Sequence, residues 1–265
     1  MGRVISFSDF KSYYREVKDL SEYSNGSILD TNILISLTYE VKANHEEVFD
    51  FFEKELAPRR ADGFRFFTTV NTRSEFLDFN RRLIMTENLR DLVVDSRSPL
   101  RLSAAAKAQI QYQSGQLRRR EQQGSDPVFN DTQLKAIKSV FSAGRFSGNS
   151  GWLALCDEFL RFRLNLTEAA LHDFGVEYIS QHESTQMAFF NERIEWSNAK
   201  KISEATCLSL SDSMILNAFQ CSHFPFIVSS DFDIGYAVLS SKDLKDVVMP
   251  DSVAKKYRDF HFNKL

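Results

Sequence analysis

Short apolar runs alternate with amphipathic stretches along most of this chain. Ser27-Ile28-Leu29-Asp30 reads as a buried strand running into a polar end, followed by a helix from Asn32 to about Thr38. A second helix covers about Asn44 to Leu56. Phe64 to Thr69 is aromatic and β-branched, as a strand requires, and Thr72 can cap a helix carrying Glu75, Phe76, Phe79 and Leu83. Further on, Trp152, Leu155, Cys156, Phe159, Phe162 and Leu166 share one face of a long amphipathic stretch that Gly175 stops. Val176 to Ser180 then predicts a strand. Met187, Phe190 and Ile194, three and four apart, predict a helix, and Ser211 or Asp212 caps another that turns Ile215, Leu216 and Phe219 inward. Phe226 to Ser229 is a second apolar strand, ending at Asp231. Alternation of this kind predicts an α/β fold, a parallel β-sheet flanked by helices on both sides.

With 265 residues, 43% of them hydrophobic, the chain has enough apolar surface to build its own core. Only 5 Pro and 10 Gly are present, which excludes collagenous and low-complexity classes. No apolar run reaches the ~18 residues of a membrane span, and charges interrupt the first residues where a signal peptide would be apolar. The expectation is a cytoplasmic protein with no membrane partner. Cys156, Cys207 and Cys221 form no CxxC pair and the five histidines are scattered, so a zinc site or disulfide framework is not expected and any metal must be held by oxygen.

Net charge is −3, but its distribution is uneven. Between Arg97 and Arg145 nine basic residues, among them Arg118, Arg119 and Arg120, face three acidic ones, while the remainder of the chain is acidic. Five of the ten glycines (Gly115, Gly124, Gly144, Gly148 and Gly151) fall in or beside the same stretch. The expected organisation is a single domain over 1–265, interrupted by a mainly helical insertion at about 86–174. The arginine run is a candidate nucleic-acid contact; a solvated helix face is the alternative. Phe129, Phe141 and Phe146 lie near basic residues and could stack on bases, with core packing as the alternative.

Ligands of parallel sheets bind beyond the carboxyl ends of the strands. Asp30 and Asp231 each follow a strand, and Glu75 and Asp212 lie in the first turns of helices that reach the same edge. Four converging acids repel one another unless a cation neutralises them. Oxygen ligands of this kind imply Mg²⁺ or Mn²⁺.

The order of these acids and their neighbours resembles the PIN-domain (PilT N-terminus) family of metal-dependent ribonucleases. Ile28-Leu29-Asp30-Thr31-Asn32 is similar to the family's strand ending in Asp-Thr-Asn or Asp-Thr-Ser, and Thr72-Arg73-Ser74-Glu75-Phe76-Leu77 to its helix-borne glutamate. Leu208 to Ala218 is similar to the segment with the third acid, Asp212. Phe226-Ile227-Val228-Ser229-Ser230-Asp231-Phe232-Asp233 is similar to the terminal Thr-x-Asp-x-Asp pattern, with Ser229 for threonine and Ile234 where an aromatic is usual. The likeness covers about 24–85 and 175–250. It implies a PIN-like, three-layer α/β/α fold and hydrolysis of RNA phosphodiester bonds with Mg²⁺ or Mn²⁺. Asp30 and Asp212 are then direct ligands, Asp231 a ligand or shared carboxylate, and Glu75 a water-mediated ligand or general base. Thr31, Asn32 and Ser229 support the ligands or the substrate phosphate, and Asp233 stands behind them. Expected partners are an RNA substrate, a second copy in a homodimer, and an antitoxin-like or other protein regulator. Two other readings stay open. One is a catalytically silent PIN-like module for RNA binding or protein interaction; the other is a haloacid-dehalogenase-type phosphotransferase, which requires an Asp where Asn32 stands.

Overall fold

The computed structural model describes residues 2–20, 23–94, 102–122, 126–143 and 146–257. The chain divides into two compact units, one formed by Met1–Phe76 with Ala170–Leu265 and the other by Leu77–Ala169.

The first unit is built on a six-stranded sheet of β1 (Val4–Ser6), β2 (Gly26–Leu29), β3 (Arg65–Thr68), β6 (Val176–Tyr178), β7 (Phe226–Val228) and β8 (Asp246–Met249). The strand order is β1-β8-β7-β2-β3-β6, and every neighbouring pair is parallel. Alternation along the strands buries both faces, as side chains two residues apart must share a side. Phe66 and Phe226 point one way, where their rings meet Phe52 at 5.1 Å and Phe10 at 5.3 Å. Phe67 and Ile227 point the other way, into a core with Ile215, Leu216, Phe219 and Ile234. Helices α1 (Phe10–Val17), α2 (Thr31–Thr38) and α3 (His45–Phe51), the last continued by a π turn over Phe52–Leu56, and α9 (Trp196–Thr206), α10 (Leu210–Cys221), α11 (Phe232–Ser240) and α12 (Asp251–Ala254) complete this unit. The α/β expectation with a parallel sheet therefore holds.

In the second unit, α5 (Ala104–Glu121), α6 (Asp131–Val140) and α7 (Gly148–Leu160) pack with the later turns of α4 (Val70–Val94), beside the two-residue antiparallel strands β4 (Ser142–Ala143) and β5 (Phe146–Ser147). The core contains Met85, Leu89, Ile110, Leu117, Ile137 and Leu155. Phe129 and Phe141 belong to it and are fully buried, so neither can stack on a base. The side chain of Phe146, like Arg97, Arg101, Gly124, Gly144 and Arg145, lies outside the described residues.

Four expectations are corrected. The helix carrying Glu75 starts at Val70, and Thr69, not Thr72, closes its end: Thr69 Oγ1 accepts from the Thr72 N–H at 3.3 Å and pairs with the Thr72 hydroxyl at 3.0 Å. Glu75 thus sits in the second turn. The helix carrying Asp212, α10, is capped by Ser209, whose Oγ accepts from the Asp212 N–H at 3.1 Å. Met187 to Ile194 is no helix; a short 3-10 turn over Met187–Phe189 gives way to extended chain, and Phe190 bridges to Ser222. The long helix through Trp152 breaks at Phe162, which adopts φ 63°, and resumes as α8 (Arg163–Asp173). The break turns Phe162 and Leu166 out to solvent, 68% and 69% exposed. Among the described residues, no helix is long and apolar enough to cross a membrane.

Candidate active site

β2 and β7 are neighbours in register, Leu29 beside Val228. From β2 the chain goes on to β3 on one side; from β7 it goes on to β8 on the other. The winding reverses between them, and the crevice at such a reversal is where parallel sheets receive ligands. Asp30 and Asp231 follow these two strands and cap the helices after them. Asp30 is 2% exposed. Its Oδ1 accepts from the Thr31 N–H at 2.7 Å and its Oδ2 from the Ser229 hydroxyl at 2.7 Å. Ser229 Oγ in turn accepts from the Asp231 N–H at 3.0 Å, so one hydroxyl ties both acids together. Asp231 caps α11 by accepting from the Asp233 N–H at 2.8 Å.

Glu75 is held from two other elements. Thr31 donates to Oε2 at 2.6 Å and Ser211, on α10, donates to Oε1. Asp212, next along α10, accepts from the Ser209 hydroxyl at 2.6 Å. Asn32 is half-buried in the first turn of α2, and Asp233 is exposed at the start of α11. Every acid singled out from the sequence thus lies near one sheet edge, and each is coupled electrostatically to at least two of the others.

Those couplings, with burial, raise the carboxyl pKa values of Asp30, Asp212 and Asp231. Burial first, and then the charges of Asp231 and Asp212, push the Asp30 carboxyl up from its ordinary value to about 7, against the hydrogen bonds from Ser229 and Thr31. Asp212 is raised by burial first, then by Asp231, Glu75 and Asp233. Asp231 is raised by burial, then by Asp233 and Glu75. Mutual repulsion in a part-buried, all-oxygen donor set is what a hard divalent cation relieves, so the chemistry of these residues fits Mg²⁺ or Mn²⁺. Their present geometry is less accommodating. Among the described residues, no three Asp, Glu, His or Cys side chains are grouped so that they could hold one ion. Each carboxylate is turned toward its own hydroxyl or N–H donor.

Ser209 and Ser211 are the site residues that the sequence reading missed in their roles. The signal for the first was present: Ser209-x-x-Asp212 before an apolar run is a helix-start pattern. Nothing local marks Ser211 as the partner of Glu75, since 136 positions separate them.

In the second unit, Arg118 and Arg119 are exposed in the last turn of α5, while Arg120 is half-buried and donates to Gln133 Oε1 at 3.2 Å.

Fold and site together define an α/β protein whose parallel sheet gathers carboxylates at its winding reversal. Comparison of the chain with protein-family models, with curated proteins and with solved structures finds no match in any of the three.

Proposed function

We propose that this chain is a PIN-like, Mg²⁺- or Mn²⁺-dependent ribonuclease that hydrolyses RNA phosphodiester bonds, with endonucleolytic cleavage favoured. The observation that carries the reading is Asp30: a carboxylate buried at the strand-order reversal, its pKa raised to about 7, with the charges of Asp231 and Asp212 acting on it. Buried like charges are costly, and proteins keep them where they serve chemistry. Asp30 and Asp212 would hold the cation, with Asp231 shared and Glu75 at its margin. The cation supplies Lewis acidity that makes water a nucleophile near neutral pH and offsets charge on the scissile phosphate. Glu75 accepts the proton of the attacking water at an Oε, oriented by Thr31 and Ser211. Asn32 and Ser229 orient the phosphate and Asp30, and Asp233 adds negative charge behind Asp231.

The proposal extends to a cytoplasmic location, in keeping with three free cysteines, to Arg118 and Arg119 as RNA phosphate contacts, and to a second copy or a protein regulator as partner. A catalytically silent PIN-like module for RNA or protein binding is the second reading, favoured by the hydroxyl partners that occupy Asp30, Asp212 and Glu75 and the backbone N–H that occupies Asp231.

The test is RNA cleavage with Mn²⁺, parent against Asp212→Asn. Cleavage by the parent and a loss of at least about 10²-fold in the variant, on the scale of lost general-base or charge stabilisation, is the expected result. A variant as active as the parent removes the assignment, and a parent that binds RNA without cutting it establishes the silent module.

A further inference from the structure

A cavity of about 410 Å³ opens beyond the carboxyl ends of β3 and β6, in the size range of small-ligand sites. Its walls include Asn71 at the start of α4, Tyr178 at the end of β6, His182 beyond it, and Met214 on α10, with Phe190 and Ile194 closing it. Two helical spacings connect it to the acidic cluster. Asn71 lies four residues before Glu75 on α4, and Met214 lies three after Ser211 on α10, so each pair shares a helix face. Both helices therefore present a cavity wall about one turn, ~5.4 Å, from the Glu75–Ser211 contact.

The walls are fixed in advance. Gln181 donates to Glu192 O at 2.6 Å and accepts from the Ile194 N–H at 3.0 Å, which pins the segment bearing Phe190 and Ile194. Gln186 accepts from the Ser180 N–H at 2.7 Å and donates to Tyr178 O at 2.8 Å, which pins the chain after β6. By contrast, the Asn71 amide and the His182 ring have no hydrogen-bond partner among the described residues. The cavity thus combines aromatic, sulfur and aliphatic walls with polar groups still free to bond, the combination that takes a flat heteroaromatic ring with polar edges.

We propose that this cavity binds the nucleobase of a nucleotide adjoining the scissile phosphate, so that the substrate is single-stranded where it is cut. The inference rests on the ribonuclease reading for its substrate, but its geometry is independent of catalysis. A base paired within a duplex could not enter. The base lies against Tyr178 and Met214, and Asn71 and His182 bond to its edge, while its phosphate reaches toward Glu75.

Two measurements on the full chain separate this inference from the reading beneath it. The first is binding of nucleoside 5′-monophosphates against ribose 5-phosphate, followed by amide NMR shifts without added cation. Nucleotides are expected to shift the signals of Asn71, Tyr178 and His182, ribose 5-phosphate to leave them unmoved, and Asn71→Ala or His182→Ala to weaken nucleotide binding about three- to tenfold. Met214→Trp, which fills the cavity, should abolish it; the two alanine variants decide the matter if that one does not fold. Equal shifts from both ligands, or shifts elsewhere, overturn the base site.

The second is Mn²⁺-dependent cleavage of a single-stranded RNA with an abasic position moved along it. One position is expected to cost about tenfold in kcat/KM, the scale of a lost base stack, and that penalty should vanish in the alanine variants. RNA cut with no such position overturns the base site and leaves the nuclease standing. Nucleotides bound in the cavity with no RNA cut leave the base site standing and overturn the nuclease.

Discussion

Asp30 carries two roles with opposite demands. As the cap of α2 it accepts a backbone N–H, and as a buried acid beside Asp231 and Asp212 it is poorly tolerated as an anion. Its folded-state pKa, about 7, lies above its ordinary value of 3.8. Between those values the folded chain holds a proton that the unfolded chain has released, so cation-free protein loses stability as pH rises from about 4 to about 7 and levels off above that. At ~1.4 kcal/mol per unit, the loss is on the order of 4 kcal/mol. Melting curves in EDTA from pH 5 to 8 are expected to show this fall, and Asp30→Asn to flatten it. Added Mn²⁺ should raise the melting temperature more at pH 8 than at pH 5, because ligands bind the ion in their deprotonated form. A Mn²⁺ effect that does not depend on pH would separate Asp30 from cation binding.

Two helices set the predictions at the next scale. α5 ends with three arginines whose side chains have different surroundings: Arg118 and Arg119 face solvent, and Arg120 bonds to Gln133, the residue that forms a capping box with Asn130 at the start of α6. The paired Arg118→Ala/Arg119→Ala variant is therefore expected to weaken RNA binding and to make its log–log salt dependence shallower by up to ~1.4, at ~0.7 per contact on a single strand. Arg120→Ala should mainly lower thermal stability instead. An unchanged slope in the paired variant would return both side chains to a solvated helix face, where they complement the negative end of the helix dipole. α11 lies against β8 through Gly235. A Cβ there would stand 2.8 Å from Met249 Sδ and would collide with the ring of Tyr257, which also donates its hydroxyl to Phe232 O. Gly235→Ala is expected to cost about 1–3 kcal/mol of stability through overpacking, read as a drop in the denaturation midpoint.

On the scale of the whole molecule, the sheet of the first unit is closed on one side by the earliest strand in the chain. Val4, Ile5 and Ser6 pair with Val247, Val248 and Met249, and Phe10 on the following helix sits fully buried against Phe51 and Phe226. A variant lacking residues 2–18 would bare the edge of β8 together with this aromatic face. Loss of a cooperative melt and a rise in light scattering are expected; an unchanged melt and a monodisperse sample would show that the strand contributes little.

Four of the six sheet strands, β2, β3, β6 and β7, were legible in the sequence because each is a compact apolar or aromatic run with turn residues after it. β1 and β8 were not read, although they are no shorter than the others and β8 carries the apolar run Val247-Val248-Met249; their pairing with each other from distant parts of the chain is what marks them as strands. The acids divide in the same way. Asp30, Asp212 and Asp231 stand at strand ends or helix starts, which neighbouring residues alone announce. The hydroxyls that hold them are less visible: Ser229 bonds to Asp30 across 199 positions and Ser211 to Glu75 across 136. The apolar stripe from Trp152 to Leu166 misled because periodicity records a shared face but not a left-handed residue such as Phe162, which divides it. By itself, then, the sequence determined which residues share a face and which polar groups end each element, since those follow from side-chain spacing and local hydrogen bonding. Tertiary structure alone decided the order of the strands, the crevice between β2 and β7 and the donor that each carboxylate takes, because these depend on how distant apolar faces pack together.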